Sequence, residues 1–116
     1  MSQEAYVSPD GTLRFVVSRD EHGDITLGFD GCAWHVHGDL LVSGYAHDDV
    51  VGLTPASASR RFVQEVIGGR AIIVVQRVDG AVRDIWVTGD PSRELRCRQP
   101  GESLEFRRWD GTAIPA

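Results

Sequence analysis

One segment of this chain carries the start, the middle and the end signals of an α-helix. Thr54 is a good N-cap because its hydroxyl can accept a hydrogen bond from a free backbone N–H, and Pro55 suits the first helical position. Apolar side chains then recur on one face, at Ala58, Phe62, Val63, Val66 and Ile67. Gly68 and Gly69 supply the stop, because glycine adopts the left-handed conformation in which many helices end. The pattern predicts one main helix over residues 55–67.

The rest of the chain favours β-strands joined by short turns. Apolar residues alternate with other residues in two runs, at Leu13, Phe15 and Val17 and at Ile25, Leu27 and Phe29. The polar segment 20–24 between these runs contains a glycine and predicts a hairpin. Residues 71–75 are apolar on both faces, as in a central strand. Asp79-Gly80 predicts a tight turn into a return strand over residues 82–88.

Two weaker strands are predicted near the end of the chain, one at Leu95 and Cys97 and one at Leu104 and Phe106. The order β-β-loop-α-β-β-β-β, with short turns between consecutive strands, predicts an α+β fold. We expect a single twisted antiparallel sheet of about five to six strands, with the helix at residues 55–67 packed on one face. The open face would then be solvated or buried against a second copy.

The size of the chain predicts one domain. Its 116 residues, of which 41% are hydrophobic and 25% charged, have an ordinary globular composition. We expect a single α+β domain over residues 1–116, in which residues 1–11 form an irregular N-terminal segment and residues 111–116 a flexible tail. Residues 43–49 are predicted to form an irregular connection before the helix.

Composition also indicates where the protein is located and which partners it does not bind. No segment approaches the roughly 18 apolar residues of a membrane span, and the first residues resemble no secretory signal, so a cytoplasmic location is predicted. All twelve basic residues are arginine, which indicates a GC-rich bacterial genome. The net charge of −5 argues against binding to nucleic acid or to an anionic membrane, because both need concentrated positive charge.

The charge is unevenly distributed along the chain. Residues 1–54 hold nine acidic residues against two arginines, whereas residues 55–116 hold eight acidic residues against ten arginines. Pairing of the last two predicted strands would bring together Arg93, Arg96, Arg98, Arg107 and Arg108. Acidic residues in the same segment would largely neutralise such a patch, so it favours an acidic protein partner over nucleic acid.

No segment predicts a reaction. The chain has no Gly-x-Ser-x-Gly nucleophile motif and no phosphate-binding loop. Cys97 stands between two arginines, but alternation along a strand would point both of them away from its thiol. We expect Cys32 and Cys97 to be buried thiols that form no disulfide. Asp84, within an apolar return strand, is expected to pair with Arg77 across the hairpin.

Residues 32–49 concentrate the side chains that bind metals. If His35 and His37 lie on a strand, both imidazoles point to the same face, as paired metal ligands on strands often do. Cys32 would add a soft ligand and Asp39 a hard one, so a zinc site is chemically possible. The same segment also contains His47, Asp48 and Asp49. The alternatives are that the histidines are structural groups on a polar strand face, or that they contact a ligand or a protein partner.

The run from His35 to Asp39 resembles the first metal-binding run, His-x-His-x-Asp, of metallo-β-lactamase-type hydrolases. The resemblance covers these five residues only. The family pattern continues with a histidine where this chain has Leu40, and the layered fold of that family needs nearly twice this length. We therefore do not assign the chain to that family.

Two functions from different classes remain. The absence of catalytic motifs, the three tryptophans and the late surplus of arginine favour a non-enzymatic protein-interaction module. It would be of the immunity, inhibitor or accessory type and act on a protein partner or as a homodimer. The partner-binding candidates are Trp34, His35, His37, Tyr45, Trp86 and Trp109, although Trp86 and Trp109 are also expected in a core. The alternative is a small-ligand or metal-binding domain with weak hydrolytic activity, centred on His35, His37 and Asp39.

Overall fold

The computed structural model describes residues 2–46 and 52–115, and within them the chain forms two antiparallel sheets and three helices. The first sheet has the order β1-β2-β3-β4, with β1 (Ser2–Val7), β2 (Arg14–Arg19), β3 (Ile25–Phe29) and β4 (His35–His37). The second has the order β6-β5-β7, with β5 (Ile72–Val78), β6 (Ala81–Thr88) and β7 (Glu102–Arg107). The helices are α1 (Gly38–Ala46), α2 (Pro55–Ile67) and α3 (Pro91–Arg96). The protein is therefore α+β.

The main helix begins and ends where the sequence predicts. The Thr54 hydroxyl accepts a hydrogen bond from the backbone N–H of Ser57 at 3.1 Å, and the Ser57 hydroxyl accepts from the backbone N–H of Thr54 at 2.8 Å. Beyond the last turn, Gly69 has a φ of +80°, which is the left-handed conformation expected at a helix end. Val63 and Val66 are buried on the inner face of α2.

Both predicted hairpins are present. β2 and β3 pair antiparallel across the polar turn at residues 20–24. Asp79 and Gly80 join β5 to β6 with φ angles of +52° and +84°. A two-residue turn with both positions left-handed follows the right-handed twist of the strands, which is why Asp-Gly is so strong a signal.

The prediction of a single sheet is wrong. The strands that precede α1 and α2 in the chain form one sheet, and the strands that follow these helices form another. β3 takes β4 as its second neighbour, and β4 runs directly into α1. After α2 the chain starts a new sheet, in which β5 lies in the centre and pairs with both β6 and β7. The predicted order of elements is also not the observed one.

Residues 1–11 contain a strand rather than only an irregular segment. β1 pairs with β2 along its whole length, from Ser2 opposite Arg19 to Val7 opposite Arg14. Most residues of β1 are exposed, so its sequence lacks the apolar alternation that reveals a half-buried strand. Part of the predicted tail is also paired, because the N–H of Ile114 donates to the carbonyl oxygen of Phe106 at 2.9 Å.

Helix α1 replaces a predicted loop. Gly38–Ala46 is helical, where the sequence predicts a short apolar run followed by an irregular connection. The carboxylate of Asp39 accepts the N–H of Leu40 at 2.9 Å and places negative charge in the first turn, which favours a helix start. Residues 47–49 of the predicted connection lie outside the described residues.

Helix α3 replaces a predicted strand. Residues Pro91–Arg96 are helical, so the strand predicted at Leu95 and Cys97 is wrong. The carboxylate of Asp90 accepts the N–H of Arg93 at 3.1 Å, and Pro91 occupies the first helical position. This start has the same N-cap and proline signature as α2 and overrides the weak strand pattern.

One core joins the first sheet, α2 and the second sheet. Its buried members are Leu13, Phe15, Ile25, Leu27, Phe29, Val63, Val66, Ile73, Val75, Ile85 and Trp109. Strand alternation directs the intervening side chains of β2 and β3 to the opposite side of the first sheet. In the part of the chain that the structure describes, no helix is long and apolar enough to cross a membrane.

Candidate interaction surface

The first sheet has one face that does not contribute to the core, which we call the outer face. Alternation and register place on it Gln3, Ala5, Val7, Arg14, Val16, Ser18, Thr26, Gly28, His35 and His37. None of these ten residues is buried. The small side chains of Ala5 and Ser18, and the absence of a side chain at Gly28, leave the middle of this face flat. The outer face is therefore an open sheet surface.

His35 and His37 lie side by side on the outer face. Their ring centroids are 4.9 Å apart and their planes meet at 84°, edge to face. Nδ1 of His35 lies 3.0 Å from the carbonyl oxygen of Ala33, and because a carbonyl only accepts, this nitrogen carries the proton. Nδ1 of His37 lies 3.4 Å from the hydroxyl of Thr26. Both histidines are exposed, and they lie on the same face, as expected of residues two apart on a strand.

The other predicted metal ligands do not complete this pair. Asp39 lies in the first turn of α1 and lines, with His37, a groove of about 420 Å³. Cys32 is half-buried near β6. Within residues 2–46 and 52–115, no three His, Cys, Asp or Glu side chains come close enough to hold a metal ion. Three further residues of the predicted segment, His47, Asp48 and Asp49, lie outside the described residues.

The carboxylate of Asp84 connects the two sheets. Its Oδ1 accepts a hydrogen bond from the backbone N–H of Trp34 at 3.3 Å and another from that of Ile85 at 2.9 Å. Cys32 lies beside the same carboxylate. Burial, and after it the negative charge of Asp84, raises the pKa of the Cys32 thiol. Asp84 therefore fixes the connection that leads into β4, and with it the position of the histidine pair.

Two predicted arrangements of arginine are wrong. Arg77 does not pair with Asp84, because the register of the hairpin places Gln76 opposite Asp84 and the Arg77 guanidinium lies 2.7 Å from the carboxylate of Glu105. The strand pairing expected to bring the late arginines together also does not form. Residues 91–96 form a helix instead of a strand beside β7, and the side chain of Arg107 turns into the protein, where it is 5% exposed.

The six predicted partner-binding residues differ in how exposed they are. Trp109 is buried in the core, and Tyr45 is buried beneath the guanidinium of Arg61, which lies 4.2 Å from its ring centroid. Trp34 and Trp86 are half-buried. The two histidines of the outer face are the exposed members of the set. Both cysteines are free. Cys97 is exposed, whereas the sequence predicts that it is buried.

The sheet edges differ in how far they are covered. The outer edge of β7 pairs with the C-terminal segment through Ala113 and Ile114. On β6, the N–H of Ile85 donates to the carboxylate of Asp84 instead of to a strand. β4 has three residues and continues into α1. Among the described residues, β1 is an edge strand that no other strand covers on its outer side.

Within the part of the chain that the structure describes, β1 presents free backbone groups at alternate residues. The N–H of Ser8 donates to the carbonyl oxygen of Leu13 at 2.9 Å, so the even-numbered residues of β1 bond to β2 in the antiparallel ladder. The odd-numbered residues Gln3, Ala5 and Val7 consequently direct their N–H and C=O groups away from the sheet. β1 contains no proline, lysine or arginine, which are common means of protecting an edge from pairing.

A groove of about 310 Å³ lies beside β1 on the inner side of the first sheet. Its walls include Glu4 and Tyr6 of β1 and Val63 and Ile67 of α2. The Tyr6 hydroxyl donates to the carboxylate of Glu4 at 2.8 Å, and this bond is the main reason that the pKa of Tyr6 is raised. Val7 is 59% exposed and Ile67 37% exposed. Apolar surface is therefore available beside the free edge.

Sequence reasoning found the histidine pair, because alternation alone places two residues two apart on one face. It missed the free edge, since an exposed strand carries little hydrophobic signal. No protein-family model, curated protein or solved structure matches this chain. The function therefore has to be inferred from the geometry of these surfaces.

Proposed function

We propose that the protein is a non-enzymatic protein-interaction module that acts as a homodimer, formed by antiparallel pairing of two β1 strands. The free edge of β1 carries this proposal, because Gln3, Ala5 and Val7 direct backbone groups away from β2, where no described segment pairs with them. Strand addition at such an edge satisfies these groups without rearranging the fold. Two copies of the first sheet would then form one continuous eight-stranded sheet.

The sequence of β1 suits pairing with its own copy in one register. With Ala5 opposite Ala5 of the other copy, Gln3 lies opposite Val7. Every hydrogen-bonded pair then joins residues whose backbone groups point away from β2. Glu4 then lies opposite Tyr6. One adjacent register would bring Glu4 opposite Glu4, and like charges directly opposite each other are destabilising. The other would bring Gln3 opposite Pro9, which has no N–H to donate. The favoured dimer therefore has Ala5 on its two-fold axis.

The groove beside β1 supports the same contact. In the register with Ala5 on the axis, Glu4 and Tyr6 of the incoming strand project toward the side of the sheet that holds this groove. Val63 and Ile67 form part of its wall. Covering this apolar surface stabilises the pair by about 25 cal/mol for each Å² removed from water.

The immunity-, inhibitor- or accessory-type role inferred from the sequence belongs to this proposal. Pairing through β1 uses the edge of the first sheet and leaves its outer face exposed in both copies. A different protein would meet that face, where His35 and His37 offer polar contacts.

Sedimentation equilibrium of the parent and two matched variants tests the proposal. Ala5→Asp places two carboxylates across the axis, whereas Ala81→Asp puts the same charge on an exposed alanine at the start of β6. We expect a concentration-dependent dimer for the parent and for Ala81→Asp, and a monomer for Ala5→Asp. A parent that stays monomeric at its highest soluble concentration, or equal dissociation by both variants, would refute the proposal.

A further inference from the structure

The two imidazoles on the outer face have the spacing of ligands to one metal ion. His35 and His37 flank Val36 on β4 and leave the same side of the strand, with ring centroids 4.9 Å apart. An ion bound tetrahedrally at about 2.0–2.1 Å from two ring nitrogens holds two imidazole centroids about 5 Å apart. The centroid separation in the structure is therefore close to that of a chelate, and both rings are exposed.

Hydrogen bonding leaves Nε2 of His35 as a metal donor. A neutral imidazole that carries its proton on Nδ1 has its lone pair on Nε2, and Nδ1 of His35 donates to the carbonyl oxygen of Ala33. Histidines that bind metals commonly donate their other ring N–H to a backbone carbonyl, which fixes the tautomer. Nδ1 of His37 lies 3.4 Å from the hydroxyl of Thr26, which accepts a hydrogen bond when that nitrogen carries the proton.

The backbone beneath the pair is held closely against β3. Gly28 lies opposite His35, and a Cβ atom at Gly28 would lie 2.8 Å from the carbonyl oxygen of Trp34 and 3.3 Å from Cβ of His35. The absence of a side chain therefore lets β4 approach β3 at this point. A fixed strand under both ligands reduces the ordering that binding would otherwise require.

We infer that His35 and His37 together bind one divalent transition-metal ion through their Nε2 atoms. Imidazole is a good ligand for nickel, copper and zinc. No third metal-ligating side chain joins the pair within the described ranges 2–46 and 52–115, so water or a small ligand completes the coordination. The inference goes beyond the proposed function and does not depend on it, because β4 and β1 are opposite edges of the first sheet.

Isothermal titration calorimetry with Ni²⁺ tests the inference on untagged protein freed of metal by a chelator. The compared chains are the parent, His35→Ala, His37→Ala and His22→Ala. His22 is the matched control, because it is an exposed histidine in the turn between β2 and β3. We expect about one Ni²⁺ to bind the parent and His22→Ala, and about a ten-fold or greater loss of affinity in the two outer-face variants.

Nuclear magnetic resonance locates the ion independently of the variants. Paramagnetic Ni²⁺ should broaden the amide signals of β4 and of the neighbouring Thr26 before those around His22. Absence of Ni²⁺ binding by the parent, full affinity in both outer-face variants, or broadening centred on His22 would overturn the inference. Ala5→Asp should bind Ni²⁺ like the parent. Failure of the metal site can therefore be distinguished from failure of the dimer.

Discussion

The guanidinium of Arg107 lies 2.9 Å from the carboxylate of Asp10 and is almost completely shielded from solvent. The same guanidinium donates to the hydroxyl of Thr12 at 2.6 Å and to the carbonyl oxygen of Trp109 at 3.1 Å. One side chain at the end of β7 thus ties the turn between β1 and β2 to the C-terminal segment. Because β1 and β2 meet at this turn, Arg107 also fixes the position of the proposed dimer edge.

Substitution of Arg107 by alanine should destabilise the protein. The change leaves the hydroxyl of Thr12, the carboxylate of Asp10 and the carbonyl oxygen of Trp109 without their charged donor, and it opens a cavity. We expect a loss of about 2–4 kcal/mol in the free energy of unfolding, measured by urea denaturation. Arg83→Ala removes an exposed arginine from β6 and should change the free energy of unfolding by less than about 0.5 kcal/mol. Equal effects of the two substitutions would contradict the assigned role of Arg107.

The ion pair of Asp10 should make stability depend on acid pH. The hydrogen bond from Arg107, and then those from Ser8 and Thr12, hold the pKa of Asp10 well below its usual range. The folded state therefore favours the ionised carboxylate. Its stabilising effect is present above the ordinary aspartate pKa of about 3.9 and is lost as the pH falls through the folded-state pKa.

Urea denaturation of the parent and Asp10→Asn as a function of pH measures this effect. The difference in free energy of unfolding should be largest near neutral pH and should shrink as the medium is acidified. Asp30→Asn is the control, because its carboxylate forms an exposed ion pair 3.5 Å from Nε of Arg14 and should contribute little. A difference between parent and Asp10→Asn that is the same at every pH would show that the charge of Asp10 is not involved.

Two glycine substitutions should have opposite effects. Gly28→Ala brings a Cβ atom to 2.8 Å from the carbonyl oxygen of Trp34, so β4 must move, and we expect a loss of about 1–3 kcal/mol of stability. Gly44→Ala in α1 adds a Cβ atom that meets no described heavy atom within 4 Å and should stabilise by about 0.5–1 kcal/mol. Thermal denaturation compares them. A neutral Gly28→Ala would contradict the close approach of β4 to β3.

The two cysteines should react at different rates with a thiol reagent. Burial and the charge of Asp84 raise the pKa of Cys32, and only the thiolate is an effective nucleophile, whereas Cys97 is exposed. Cys97→Ser should therefore leave a slowly reacting chain and Cys32→Ser a rapidly reacting one. Asp84→Asn should accelerate the reaction of Cys32 by removing the nearby negative charge. If Cys32 reacts as fast as Cys97, then its thiol is not half-buried beside Asp84.

The elements that the sequence predicts well have local signals. α2 is delimited by Thr54 and Gly69, and the β5–β6 hairpin by Asp79 and Gly80, so neighbouring residues decide each boundary. α3 carries a local signal of the same kind at Asp90, and this cap overrides the weak apolar alternation of Leu95 and Cys97, which predicts a strand.

The division into two sheets has no local signal. β5 pairs with β7 across the intervening β6 and α3, and only the assembled core selects that partner. The candidate surfaces also differ in whether a local sequence signal predicts them. Alternation on one strand predicts the histidine pair, whereas the free edge of β1 depends on which strands lie beside it.

A charge exchange across the two-fold axis tests the proposed dimer most directly. Ala5→Asp and Ala5→Lys each place like charges opposite each other, and an equimolar mixture places opposite charges there. Sedimentation equilibrium should find each variant alone as a monomer and the mixture as a heterodimer. If the mixture stays monomeric while the parent dimerises, then Ala5 does not lie on the axis, and pairing through β1 in this register is wrong.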